Sequence, residues 1–292
     1  MKEIQRHKIT ESKIGDASLI AHYQSKKEMA IARLSSGKNM NFHALKENYK
    51  RLVLFRYMQN IKQNPNPALI NYLDLGLAHI KRTQTKTEHI LVHIFNREFK
   101  VKKIENDYGA DFYDRYEIYN VAKLINSSYH LDILLQFEEP DPSKIRNPFW
   151  RITYNYIKAA ESNQETDRIK YFKNLKEISN TDVTTFIGLE ENSIIKQEGI
   201  KKIWQTYHFP ILDLYEQIQQ KDQEKFNEKL EEYIISKKED IIQTENNDDS
   251  LNWVDFNLLG VLSTAKRNEM NIKVKTDYAP VELYAIKSNT DH

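Results

Sequence analysis

The chain has 292 residues, 40% of them hydrophobic and 29% charged, with 43 Lys and Arg set against 42 Asp and Glu. That length can bury a full core as one large domain or two small ones, and the even charge gives no general pull toward nucleic acid or an anionic membrane. Cysteine is absent, which excludes disulfides and thiolate chemistry and fits a reducing compartment.

Residues 1–20 lack the apolar core of a signal peptide, and no run reaches the length that spans a bilayer. A cytoplasmic, soluble protein is expected. Seven glycines and seven prolines predict few turns and long helices, while 17 tyrosines and 12 phenylalanines supply interhelical packing. Residues 1–15 are polar and are expected to be loosely held, as are residues 286–292. Between them, residues 16–285 are expected to form a single helical domain.

Helical spacing appears first in Ala17–Leu34, through Leu19, Tyr23, Ala30 and Leu34, and again from Phe42 to Ile61. Asn66 as cap and Pro67 at the first helical position open the next helix, with Leu69, Tyr72, Leu73, Gly76 and Ile80 on one face. The period then changes to two. Ile90, Val92 and Ile94, followed by Phe99 and Val101 against Lys100 and Lys102, predict a β-hairpin with Asn96 and Arg97 as its turn residues, a helix being the alternative because Leu91, Phe95 and Phe99 also recur every fourth residue. Asp111–Phe137 returns to helix, broken near Ser127–Ser128. Two helix pairs follow: Pro148–Ala160 with Asp167–Ile178, and Ile194–Ile218 with Asp222–Ile242, the first helix of the second pair kinked or restarted at Pro210. The fold class is thus all-α, mainly stacked αα-hairpins in a solenoid-like arrangement, with one small β-hairpin inserted.

Ser250–Met270 is the most apolar stretch. Leu251, Val254, Leu258, Val261, Leu262 and Ala265 form one stripe, with Trp253, Phe256 and Gly260 around the side, so a buried central helix is expected, capped by Ser250. Gly260 at mid-helix costs about 1 kcal/mol against alanine, which suits a place where another helix comes close. Asp255, at the N-terminal end, reads as structural, its charge favoured by the helix dipole.

The search for chemistry yields little. No phosphate-cradling glycine loop, G-x-S-x-G elbow, H-E-x-x-H or C-x-x-C pattern is present. His89 and His93 share a side at a spacing of four, and a third ligand would have to come from His79 or Glu88; no defined metal-site spacing supports this, and a hairpin surface is the plainer reading. The acidic groups of QFEEPDPS and LEENS read as solvated loops. No catalytic, cofactor or metal residue is therefore assigned, and no enzyme is expected. Charge is nonetheless uneven: Lys81–Lys103 carries seven basic and two acidic residues, and Asp222–Asp249 ten acidic and four basic. Glu228, Glu231, Glu232, Asp248 and Asp249 are the candidate partner-binding residues of the acidic stretch, where charge would select a basic partner.

The C-terminal third, from the acidic helix pair through LNWVDFNLLGVLSTAKRNEMNIKVKTDYAPVELY, resembles the Immunity 49 family of bacterial polymorphic-toxin immunity proteins. The tryptophan leading the apolar helix is Trp253, the V-x-x-D-Y-x-P segment is Val274, Asp277, Tyr278 and Pro280, and the closing leucine is Leu283. Residues 200–285 carry the specific part, and a weaker likeness reaches back to about residue 65. The resemblance implies a non-enzymatic inhibitor that binds a cognate toxin stoichiometrically, the partner being a protein, such as a basic nuclease, and neither nucleic acid nor membrane. The signature residues are expected to build the fold. A helical scaffold that binds a peptide is the alternative, and it predicts a groove lined by exposed aromatics.

Overall fold

A computed structural model describes residues 1–9, 16–38, 40–59, 66–104, 112–138, 148–180, 198–199, 201–246 and 249–284. The described residues are mainly helical. In chain order they form β1 (Lys2–Ile4), α1 (Ala17–Ser35), α2 (Phe42–Gln59), α3 (Asn66–Gln84), β2 (His89–Ile94), β3 (Arg97–Lys102), α4 (Phe112–Ile125), α5 (Ser128–Gln136), α6 (Pro148–Glu161) and α7 (Glu165–Asn180). A π-helical turn at Trp204–His208 leads into α8 (Phe209–Gln220), followed by α9 (Gln223–Gln243), α10 (Phe256–Arg267), β4 (Val274–Thr276) and α11 (Val281–Tyr284). The helical class and the small hairpin agree with the sequence reading.

Neighbours in the chain pack as neighbours in space: α1 on α2, α2 on α3, α3 on α4, α6 on α7 and α8 on α9. α10 departs from this order, lying against α4 and α8. Gly260 makes that crossing possible, since a Cβ there would sit 2.3 Å from the Asn120 carbonyl oxygen of α4. α10 also satisfies carbonyls that the end of α4 leaves open: Ser263 Oγ donates to Leu124 O at 2.9 Å and Arg267 to Lys123 O at 2.7 Å. One apolar cluster runs from Ile9 to Tyr284.

Three details differ from the expectations, and a fourth, the restart expected at Pro210, takes a particular form. Ser250 does not cap the central helix: Ser250–Asn252 is a separate 3-10 turn, and Asp255 is the N-cap, accepting from Leu258 N at 3.0 Å. Two carboxylate oxygens let Asp255 cap the helix and bind a cation at once. Residues 1–9 are not loose. β1 pairs in parallel with β4, Lys2 opposite Val274, and the buried His7 ring meets the Tyr278 hydroxyl at 2.8 Å. A three-residue strand has no readable period, and its partner lies at the far end of the chain. The hairpin turn sits one residue earlier than expected, at Phe95–Asn96, both with positive φ (52° and 57°), because Ile94 pairs with Arg97 and puts Val92, Ile94, Phe99 and Val101 on the buried face. Phe95 is held in this costly conformation by an edge contact with Tyr49, centroids 5.2 Å apart, and by Lys27 Nζ 4.8 Å from its ring. Finally, Pro210 is preceded by a π-turn: it has no N–H to donate, and the Phe209 N–H reaches back to Trp204 O instead. Residues 10–15 and 285–292 lie outside the described residues.

Candidate partner-binding surface

Four of the six residues that carry the resemblance are buried. Trp253 is fully buried, its ring edge-on to Phe55 with centroids 5.2 Å apart. Val274, Tyr278 and Leu283 are buried as well; Asp277 is exposed in the turn after β4, and Pro280, half-buried, precedes α11. Asp255 ties these parts together. Its N–H donates to Tyr278 O at 2.7 Å, and its Oδ2 accepts from Tyr233 and Lys237, each at 2.5 Å. Burial opposes its charge, but the Lys237 ammonium and the donated hydrogen bonds outweigh burial and hold the carboxyl below its ordinary pKa.

Beside this junction opens a cleft of about 600 Å³ between the π-turn, α9 and the 249–257 segment. Buried charges form its floor: Lys50 on Glu117, and Lys237 on Asp255. Lys202 and Asp249 are more exposed, Lys202 reaching Asp240 at 3.2 Å while the Tyr207 hydroxyl donates to the same carboxylate. The floor groups are shifted away from neutrality. Against the effect of burial, Lys50 and Lys46 keep Glu117 below the usual carboxylate range. Burial and Asp255 push Tyr233 well up, and burial lowers His208 to about 4. A general acid or base works best with a pKa near the operating pH, and these groups are moved the other way.

α9 forms the other part of this surface. Its buried stripe is Phe226, Leu230, Tyr233, Ile234 and Ile241. The opposite side shows Glu228, Glu232, Ile235, Glu239 and Ile242 at spacings of three and four, with Ile235 36% and Ile242 49% exposed. Of the five candidate partner-binding residues, Glu228 is exposed on this face, and Glu232 shares it while pairing with Lys229 at 2.7 Å. Glu231 is engaged by Lys2 of β1, and Asp249 binds Arg51 Nη1 of α2 at 2.7 Å, so both tie distant segments together. Asp248 lies outside the described residues. Sequence reasoning missed Ile235, Ile242 and Glu239 as one face; the signal was available in their spacing, opposite to the core stripe. It also missed Tyr207 and Asp240 as partners.

His89 and His93 are both exposed on β2, and Glu88 faces Lys102 at 3.6 Å. His79 is buried on α3 and turns toward Asp114 instead. Most of QFEEPDPS, from residue 139 on, and all of LEENS, residues 189–193, fall outside the described residues. Among the described residues, no helix is long and apolar enough to cross a membrane.

No curated protein and no solved structure matches the chain. Residues 182–283, which supply the solvent face of α9 and every described residue of the cleft except Lys50 and Glu117, match the family model of Immunity protein 49, Imm49.

Proposed function

We propose that the protein is an immunity protein that neutralises a toxin by forming a one-to-one complex with it, without turnover and without a metal or cofactor taking part in the inhibition. The observation that carries this reading is the division within the matched stretch. Its signature residues are largely interior, while the same stretch turns an acidic helix face and a charged cleft to solvent. A partner of stable affinity needs roughly 1,600 Å² of buried surface with a few apolar anchors, and Ile235 and Ile242 stand among Glu228, Glu232 and Glu239 as such anchors. The charge suits a basic toxin, such as one that cuts nucleic acid, which the complex would meet in the cytoplasm. The cleft supports this reading over a peptide-binding scaffold, because most of the side chains lining it are polar or charged and two of its aromatics, Tyr233 and Phe256, are buried rather than part of an exposed row.

Co-expression with a candidate toxin domain from a neighbouring gene tests the proposal. Growth should be restored in step with a co-purifying complex, and protection should fail once the toxin exceeds the immunity protein. Protection at amounts far below the toxin's, or survival with no complex, would overturn it.

A further inference from the structure

Away from the matched stretch, three successive helices bring together two imidazoles and a carboxylate. His43 lies in the first turn of α2, His79 near the end of α3 and Asp114 in the first turn of α4. Gly76 allows α3 and α4 this proximity, since any Cβ there would press on the Ile118 side chain at 2.5 Å. Asp114 Oδ2 is 3.5 Å from His43 Nδ1 and 3.7 Å from His79 Nε2. The three donor atoms lie within 4.8 Å of one another.

These are the dimensions of a metal site drawn slightly open. Donors on a tetrahedral ion with bonds of about 2.0–2.1 Å stand roughly 3.3 Å apart, a few tenths of an ångström less than the two distances to Asp114; within the 4.8 Å that encloses all three donors, the two imidazoles would close further on an ion. The second carboxylate oxygen of Asp114 accepts from Lys46, which orients it, as the outer partners of metal ligands do. Lys46 is a nearby positive charge, but it is compensated. Glu117 lies at 3.1 Å and Glu47 at 3.5 Å from its ammonium, and Lys50 also sits on Glu117. Three carboxylates against two ammonium groups leave a net negative charge for a cation. The three donor atoms are buried, but the His43 side chain as a whole is 40% exposed, so a turn of its ring would admit an ion.

We propose that His43, His79 and Asp114 form a binding site for a divalent first-row transition ion of the Zn²⁺ type. Two nitrogen donors with one oxygen favour such an ion over Mg²⁺ or Ca²⁺, which prefer oxygen throughout. The ion would join α2, α3 and α4 at one point, so its role here is to brace the N-terminal half. The alternative is an ion pair of His43 with Asp114 and nothing more. This inference does not rest on the toxin-binding reading, and either can fail alone.

The test uses the untagged, chelator-treated full chain titrated with Co²⁺ and then Zn²⁺ at neutral pH. One equivalent of Co²⁺ should bind with visible absorption bands of a low-coordinate ion, Zn²⁺ should displace it, and the melting temperature should rise with either metal. His43→Ala, at a half-exposed position where folding is least at risk, should weaken binding at least tenfold and abolish the bands while circular dichroism stays unchanged. His79→Gln, checked the same way, should do likewise. Absence of the bands in the wild-type protein would overturn the proposal. So would equal Co²⁺ binding by folded His43→Ala, which would place the ion elsewhere.

Discussion

α9 and α10 follow one another in the chain and belong to the same family match, yet they use their residues in opposite ways. α10 buries nine of its 12 residues, and α9 seven of its 21. A helix enclosed on all sides has its sequence dictated by close packing, where even one methylene is felt. A helix buried on one stripe is free to vary on the rest. On the proposed function the pair separates two tasks: α10 and the segments flanking it specify the fold, and the open side of α9 would be where a partner is selected.

Breaking the enclosed side should have the largest effect. Trp253→Ala removes a fully buried indole and should cost about 3–5 kcal/mol, read as a large drop in melting temperature. Acid should come next. His208, buried at the end of the π-turn that leads into α8, has its pKa lowered to about 4 by burial, so it stays neutral in the folded protein while the unfolded chain takes up a proton below about pH 6.5. Its folded pKa being the depressed one, stability is lost as pH falls from about 6.5 to 4, by on the order of 3 kcal/mol. Denaturant midpoints at pH 7.5 and 5 should differ more for the wild type than for His208→Phe. Gly260→Ala sharpens the comparison by its sign. Helix propensity alone favours alanine by about 1 kcal/mol, but a methyl 2.3 Å from the Asn120 carbonyl cannot be accommodated by a side-chain shift. A loss of about 1–3 kcal/mol is expected, and a gain would mean that α4 and α10 are not so closely apposed. The smallest effect belongs to the open side: Glu228→Lys with Glu239→Lys should leave stability within about 0.5 kcal/mol.

These magnitudes follow how much of each region could be read from sequence. α10 was legible as a buried helix with a close neighbour at Gly260, because apolar residues all round and a mid-helix glycine have one economical explanation. The hairpin was legible from its period, but its turn was not, since nothing in the sequence says that Phe95 will accept a left-handed backbone. The N-terminal strand was missed for the opposite reason. Lys2–Ile4 has no pattern of its own and acquires structure only by pairing with Val274–Thr276. The acidic stretch was legible as a charge excess, but not as a surface. Charge runs do not say which carboxylates are spent inside, and Glu231, bound by Lys2, and Asp249, bound by Arg51, were not separable from Glu228 until the distant partners were in place. His43, His79 and Asp114 come from three helices and share no local spacing, so their meeting is visible only in the fold.

The division of labour is tested most directly by measuring the affinity of the cognate toxin for the wild-type protein and for the Glu228→Lys/Glu239→Lys variant, with melting temperatures taken alongside. If the open side of α9 docks a basic toxin, the variant should keep its melting temperature and bind at least tenfold more weakly, chiefly through slower association, with the wild type's salt dependence reduced or reversed. An unchanged affinity and salt dependence in the folded variant would contradict the assignment of recognition to α9.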